Sequence, residues 1–123
     1  MLHRDLYDEI VKLKSSRKLI LVEGKKDKAC LESLGCKLVV EIQRKPLYKV
    51  VEETSLLSKD VVILTDLDKT GKKLFSYLNS GLQNNGVRVD NHFRNFLFKH
   101  TKLRQIEGLQ TYLNTYEKSR LLK

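Results

Sequence analysis

Three carboxylates stand where short apolar runs give out. Glu23 follows Leu19-Ile20-Leu21-Val22 and precedes Gly24. Asp66 and Asp68 follow Val61-Val62-Ile63-Leu64-Thr65, with Thr70-Gly71 close behind. Side chains two residues apart on extended backbone point the same way, so Asp66 and Asp68 can share a face. Carboxylates that close hold protons more tightly unless a cation lies between them. Mg²⁺ suits such a pair, since it takes oxygen ligands, keeps several waters, and is usually held by one or two carboxylates plus substrate phosphate. An ion there can neutralise charge developing on a phosphoryl group. Glu23 can act as general acid or base, or ligate the metal, and its position does not separate these roles. Lys25 and Lys26 come next in the chain, where they can reach phosphates on the same ion. Adjacent lysines are as often simply solvated. An aspartate after a strand also serves as a turn or capping residue. Thr70 is placed to cap the next helix, whose N-terminus can receive a phosphate.

These residues need a scaffold that brings two strand ends together. Lys18–Val22, Leu38–Ile42 and Val61–Thr65 are short, β-branched and without polar alternation, and Val87–Val89 is a weaker fourth run. Such runs read as strands buried on both faces, the pattern of a parallel sheet. Helical spacing fills the gaps. Asp27–Leu34 ends at Gly35, and Leu47, Val50, Val51, Thr54 and Leu57 follow Pro46. Leu74, Phe75, Leu78 and Leu82 end at Asn85-Gly86. Leu6, Ile10, Val11 and Leu13 predict an N-terminal helix, and Phe96 to Tyr116 reads as mostly helical with a break near Gly108. Strands alternating with helices predict an α/β fold, a mainly parallel four-stranded sheet with helices on both faces. Sites in such folds lie beyond the carboxyl ends of the strands, which is where Glu23, Asp66 and Asp68 fall.

The chain has 123 residues, enough for one domain (1–123, core about 17–95, helical extension 96–123). Its net charge of +9 favours a polyanionic partner, nucleic acid before anionic membrane. The excess is steepest over residues 88–123, which carry eight basic and three acidic residues, including Arg88, Arg94, Lys99, Lys102 and Arg104. Arg88 and Arg94 are candidates for bidentate contact with a phosphate backbone, against a solvated turn as the alternative. No apolar run approaches the ~18 residues of a membrane span. The charged stretch Met1–Lys18 has no apolar segment of the signal-peptide kind, so a cytoplasmic protein is expected. Cys30 and Cys36 cannot build a disulfide framework or a four-ligand zinc site by themselves, and read as reduced residues. His3, His92 and His100 lack metal-ligand spacing. Phe93, Phe96 and Phe98 can stack bases, but covering the sheet is their simpler use. The five tyrosines, Tyr7, Tyr48, Tyr77, Tyr112 and Tyr116, fall mainly in helices and read as packing residues.

Leu21-Val22-Glu23-Gly24-Lys25-Lys26-Asp27 resembles the first motif of Toprim domains, Val-Glu-Gly-x-x-Asp. Ile63-Leu64-Thr65-Asp66-Leu67-Asp68-Lys69-Thr70-Gly71 resembles the second, Thr-Asp-x-Asp-x-x-Gly. The resemblance covers about residues 17–95. In size and wording the chain is similar to the small stand-alone Toprim proteins of archaea, whose C-terminal Ile-Glu-x-Leu matches Ile106-Glu107-Gly108-Leu109. Its first motif also resembles that of the bacterial nuclease that matures 5S ribosomal RNA. The resemblance implies a Mg²⁺-dependent phosphoryl-transfer site in which Glu23 handles a proton and Asp66 and Asp68 hold the metal. Asp27 either supports that site or caps the first crossover helix. Glu107 either approaches it or sits on a surface helix.

Two functions of different classes follow. One is a Mg²⁺-dependent nuclease on structured nucleic acid, RNA preferred over DNA. The other is a non-catalytic nucleic-acid or ribonucleoprotein binding module on the same fold, as in the RecR recombination proteins. A phosphotransferase acting on small nucleotides ranks behind both, because it leaves the basic surface without a use.

Overall fold

The computed structural model describes residues 3–121, with side chains described for 5–115. The expectations for His3 and for the Tyr116 side chain fall outside the described side chains. The elements run α1 (His3–Ser15), β1 (Leu19–Val22), α2 (Lys25–Ser33), β2 (Val39–Glu41), α3 (Leu47–Leu57), β3 (Asp60–Leu64) and α4 (Lys69–Asn84). Then come β4 (Arg88–Asp90), α5 (His92–His100), a 3-10 turn (Ile106–Gly108) and α6 (Leu109–Leu121).

The four strands form one sheet in the order β2-β1-β3-β4, and every pairing is parallel. Alternation within β1 and β3 divides the core. Ile20, Val22, Val62 and Leu64 pack with Leu6, Leu31, Leu97, Ile106 and Leu109 under α1, α2, α5 and α6. Leu19, Leu21, Val61 and Ile63 pack with Val50, Val51, Leu78 and Leu82 under α3 and α4. Both strand faces are covered, which is why the strands read as unbroken apolar runs. Cys30 and Cys36 are buried free thiols. Phe93 belongs to the core, with Phe96 and Phe98 packed against it, so the aromatic trio covers the sheet. Among the described residues no helix is long and apolar enough to cross a membrane.

From β1 the chain crosses to β2 on one side, while β3 lies on β1's other side and leads outward to β4. Their crossover helices, α2 and α4, cover opposite faces. The carboxyl ends of β1 and β3 are therefore the switch point of the sheet, where such folds open a crevice.

The C-terminal segment is helical with a break, as expected, but the break lies earlier and is longer than a kink near Gly108. The helix stops at His100, and Thr101 caps it in extended conformation. The chain then doubles back before the 3-10 turn, so the break precedes Gly108 by several residues. Its physical reason is tertiary: the returning segment bonds to the β3–α4 turn, Leu67 N donating to Arg104 O at 2.8 Å.

Candidate active site

Glu23 and Asp66 meet across the switch point. The register pairs Val22 with Leu64, so Glu23 emerges beside Thr65, one residue before Asp66. Glu23 Oε2 accepts a hydrogen bond from Asp66 N at 2.6 Å. Asp66 is 9% exposed, and its Oδ1 accepts from Ile106 N at 2.9 Å. Asp68 is exposed and caps α4, with Oδ1 accepting from Gly71 N at 2.7 Å. Asp68, not Thr70, is thus the helix cap, because the turn places its side chain over the free amide of the third helical residue. Asp27 lies in the first turn of α2 and accepts from Gly24 N at 3.1 Å through Oδ2. It is 5% exposed, and its Oδ1 has no hydrogen-bond partner among the described residues.

The electrostatics follow from this crowding. Burial, above all, pushes the Glu23 carboxyl above its ordinary range; the Asp66 amide opposes that, and the charges of Asp66, Asp68 and Asp27 add to it. Burial also raises Asp66, with Asp68 and Glu107 adding to the effect and the Ile106 amide and Arg94 opposing it. Asp27 is raised to about 6, by burial first and then by the charge on Asp66. Glu107, although exposed, thus lies close enough to act on both aspartates. Its 3-10 turn packs on α2, and it sits at the site as well as on the surface.

Arg94 lies elsewhere than the surface phosphate contact expected of it. It is 7% exposed, and its Nε and Nη2 donate to the carbonyls of Thr65 at 3.0 Å and Asp66 at 2.9 Å. Its guanidinium stands 4.5 Å from the Phe75 ring centroid and 5.3 Å from that of Phe98. It positions the metal-candidate turn from below. Arg88 is remote: it starts β4 at the amino end of the sheet and pairs with Asp60 at 2.9 Å. Strand direction puts it at the edge opposite the carboxylates. Lys25 and Lys26 are exposed on the first turn of α2, beside Glu23.

Gly71 shows why the second motif ends in glycine. A Cβ there would collide with the carbonyl group of Asp66. Thr65 Oγ1 donates to Gly71 O at 2.8 Å, drawing the start of α4 onto the strand end. Sequence reasoning missed one further wall. Gln43, Arg44 and Lys45 line a cavity of about 400 Å³ with Glu23, Gly24, Asp27, Ile42, Leu47 and Leu74. The available signal was a basic pair following the second strand, on the same sheet edge.

Among the described residues no three or more His, Cys, Asp or Glu side chains are gathered so as to hold a metal ion on their own. The carboxylates do present hard oxygens, and backbone amides engage one oxygen each on Glu23, Asp66 and Asp68.

No protein-family model matches the sequence. The chain is 32% identical over 110 residues to a UPF0292 protein of Methanocaldococcus jannaschii, covering 86% of each chain. It is 34% identical over 113 residues to a UPF0292 protein of Pyrococcus abyssi, covering 90% of this chain and 84% of that one. A solved structure of a putative protein from Aquifex aeolicus superposes with a TM-score of 0.77 at 35% identity, covering 83% of this chain and 95% of that one.

Proposed function

We propose, from the premise that the chain belongs to the UPF0292 family, that it is a cytoplasmic, Mg²⁺-dependent nuclease of the Toprim type. Its substrate is structured nucleic acid, RNA in preference to DNA. The carrying observation is the convergence of Glu23 and Asp66 across the switch point, locked by the 2.6 Å bond from Asp66 N to Glu23 Oε2. The Toprim-like motifs and the net charge of +9 support the same reading.

The donor chemistry fits Mg²⁺. Hard carboxylate oxygens lie together in a partly buried site; burial first and mutual repulsion second raise Glu23 and Asp66, and a bound cation would offset both. Asp66 and Asp68 would hold the ion, and water and substrate phosphate would complete a set that the side chains do not fill. Bound there, the ion supplies charge neutralisation at the phosphoryl group.

The chain's own residues supply the rest. Glu23, raised by burial, is suited to exchange a proton with the attacking or leaving oxygen. Asp66 cannot swing away, because Ile106 N fixes its carboxylate and Arg94 fixes its carbonyl. Lys25 and Lys26 face solvent at the rim and attract the phosphate backbone.

The test is cleavage of a panel of structured RNAs, duplex DNA and nicked DNA, with EDTA controls. Wild type cuts only with Mg²⁺, and Glu23→Gln loses cleavage while keeping affinity. Full cleavage by Glu23→Gln sinks the acid/base assignment. Salt-sensitive binding without any cleavage by the wild type replaces the nuclease with a binding module.

A further inference from the structure

We propose that the cavity between the β1–α2 and β2–α3 turns is a subsite for one unpaired nucleotide, with Arg44 as its phosphate contact. The inference rests on the nuclease reading above and names its substrate class: strand ends, overhangs or extruded nucleotides, not the interior of a paired helix.

The cavity has three kinds of wall. Glu23 and Asp27 form the side that belongs to the carboxylate cluster. Ile42, Leu47 and Leu74 supply an apolar floor. Gln43, Arg44 and Lys45 supply amide and cationic groups. Its volume of about 400 Å³ lies within the ~300–1,000 Å³ of small-ligand sites. A nucleotide has the matching parts, a flat base for the floor, hydrogen-bonding edges for Gln43, and a phosphate for Arg44 and Lys45. A base stacked and paired within a duplex cannot enter without being extruded.

The backbone places this turn beside the carboxylates. Ile42 N donates to Val22 O at 2.9 Å, so the β2–α3 turn emerges beside Glu23. Lys45 N then donates to Ile42 O at 3.1 Å, closing a four-residue turn. Arg44 is the third residue of that turn and has φ 66°. Positive φ at this position selects Gly or Asn. The fold holds an arginine where glycine would be less strained, at the mouth of the cavity beside the carboxylates. Lys45 is only loosely engaged by Glu53, 3.8 Å away and half exposed.

Arg17 provides a matched control. It too has positive φ, 55°, and it lines a separate cavity of about 580 Å³ with Lys14, Lys18 and Lys37, at the amino end of the sheet. Arg44→Gly and Arg17→Gly remove the same charge and relax the same backbone conformation at opposite edges.

Affinity for a short fluorescent RNA, as single strand and as blunt duplex, is read by anisotropy in EDTA, where neither metal nor turnover intervenes. Wild type favours the single strand by about tenfold. Arg44→Gly weakens single-strand binding roughly tenfold with an unchanged or raised melting temperature. Arg17→Gly stays within about twofold of wild type. Equal losses in the two variants, or equal affinity of the wild type for strand and duplex, overturn the subsite. Metal-dependent cleavage with Arg44→Gly binding as wild type removes the subsite and leaves the nuclease. Strand preference dependent on Arg44, without cleavage by the wild type, removes the nuclease and leaves the subsite.

Discussion

Asp27 occupies a position that serves two ends at once. Through Oδ2 it accepts from Gly24 N and so helps start α2. Its other oxygen is buried outside hydrogen-bonding geometry with any described residue, next to a cluster of like charge, with only the Glu107 backbone near enough to oppose the rise alongside Gly24. Burial and Asp66 raise its pKa from 3.8 to about 6. The folded state therefore binds this proton more tightly than the unfolded chain. Its contribution to stability is fully present below about pH 4 and is lost as pH rises through about 6. The cost at neutral pH is at most roughly 3 kcal/mol, and less where solvent relaxes around the group. Asp27→Asn keeps an oxygen for the Gly24 amide and removes the charge. In metal-free buffer it should melt several degrees above wild type at pH 7.5 and close to it at pH 4. Identical melting profiles against pH for the two proteins would show that Asp27 carries no such strain. The same comparison bears on what sequence reveals about single residues. Glu23, Asp66 and Asp68 were legible because each follows an apolar run, and strand ends of a parallel sheet are where sites form. Arg94 was misread because a lone cation within a basic segment looks like surface. Nothing local announces two backbone carbonyls and two aromatic rings waiting for it.

The β3–α4 turn is the element on which the site depends. Thr65, Asp66, Asp68 and Gly71 bond to one another, to Glu23, to Arg94 and to Ile106. A methyl at position 71 cannot be absorbed by a side-chain rotation, since what it meets is the Asp66 backbone. Gly71→Ala must open the turn, at a cost of about 1–3 kcal/mol, the usual range for forcing atoms into packed structure. Melting should fall by several degrees, and any rise in melting temperature produced by Mg²⁺ in the wild type should disappear with it. A variant as stable and as Mg²⁺-responsive as wild type would mean that the turn is not built this way. The regular elements around it were readable because local pattern and tertiary role agree. β1 and β3 are apolar on both faces, and α3 spans 47–57 as its spacing predicts. Disagreement begins where long-range bonds choose the conformation. The segment after His100 carries helical spacing, yet it turns back to place Arg104 O on Leu67 N and Ile106 N on Asp66. Glu107 arrives near the cluster by that same reversal.

At the scale of the whole molecule, the charge pattern is a rim of cations around an acidic centre. Lys25, Lys26, Arg44, Lys45 and Lys69 are all exposed on the turns and helix starts at the carboxyl edge of the sheet, near Glu23 and Asp66. Net charge alone favours a polyanionic partner but does not say which face would meet it. Arg88 pairs with Asp60 at the far edge, and Arg94 is buried beneath the site with its donors on the Thr65 and Asp66 carbonyls, so neither is exposed at the site to contact a phosphate backbone. A ligand that spans the rim displaces counterions in proportion to the phosphates it neutralises, with a slope of about −0.7 per phosphate for single strands. Four contacts from this rim give a slope near −3 in a plot of log affinity against log salt. Arg44→Gly removes one contact and should make the slope shallower by about 0.7, whereas Arg17→Gly should leave it unchanged. This distinguishes a focused site from a diffusely basic surface, because a diffuse surface loses the same increment from either substitution. Equal slopes for the two variants would place the partner's backbone across the molecule as a whole; unequal slopes would place it across the edge where β1 and β3 end.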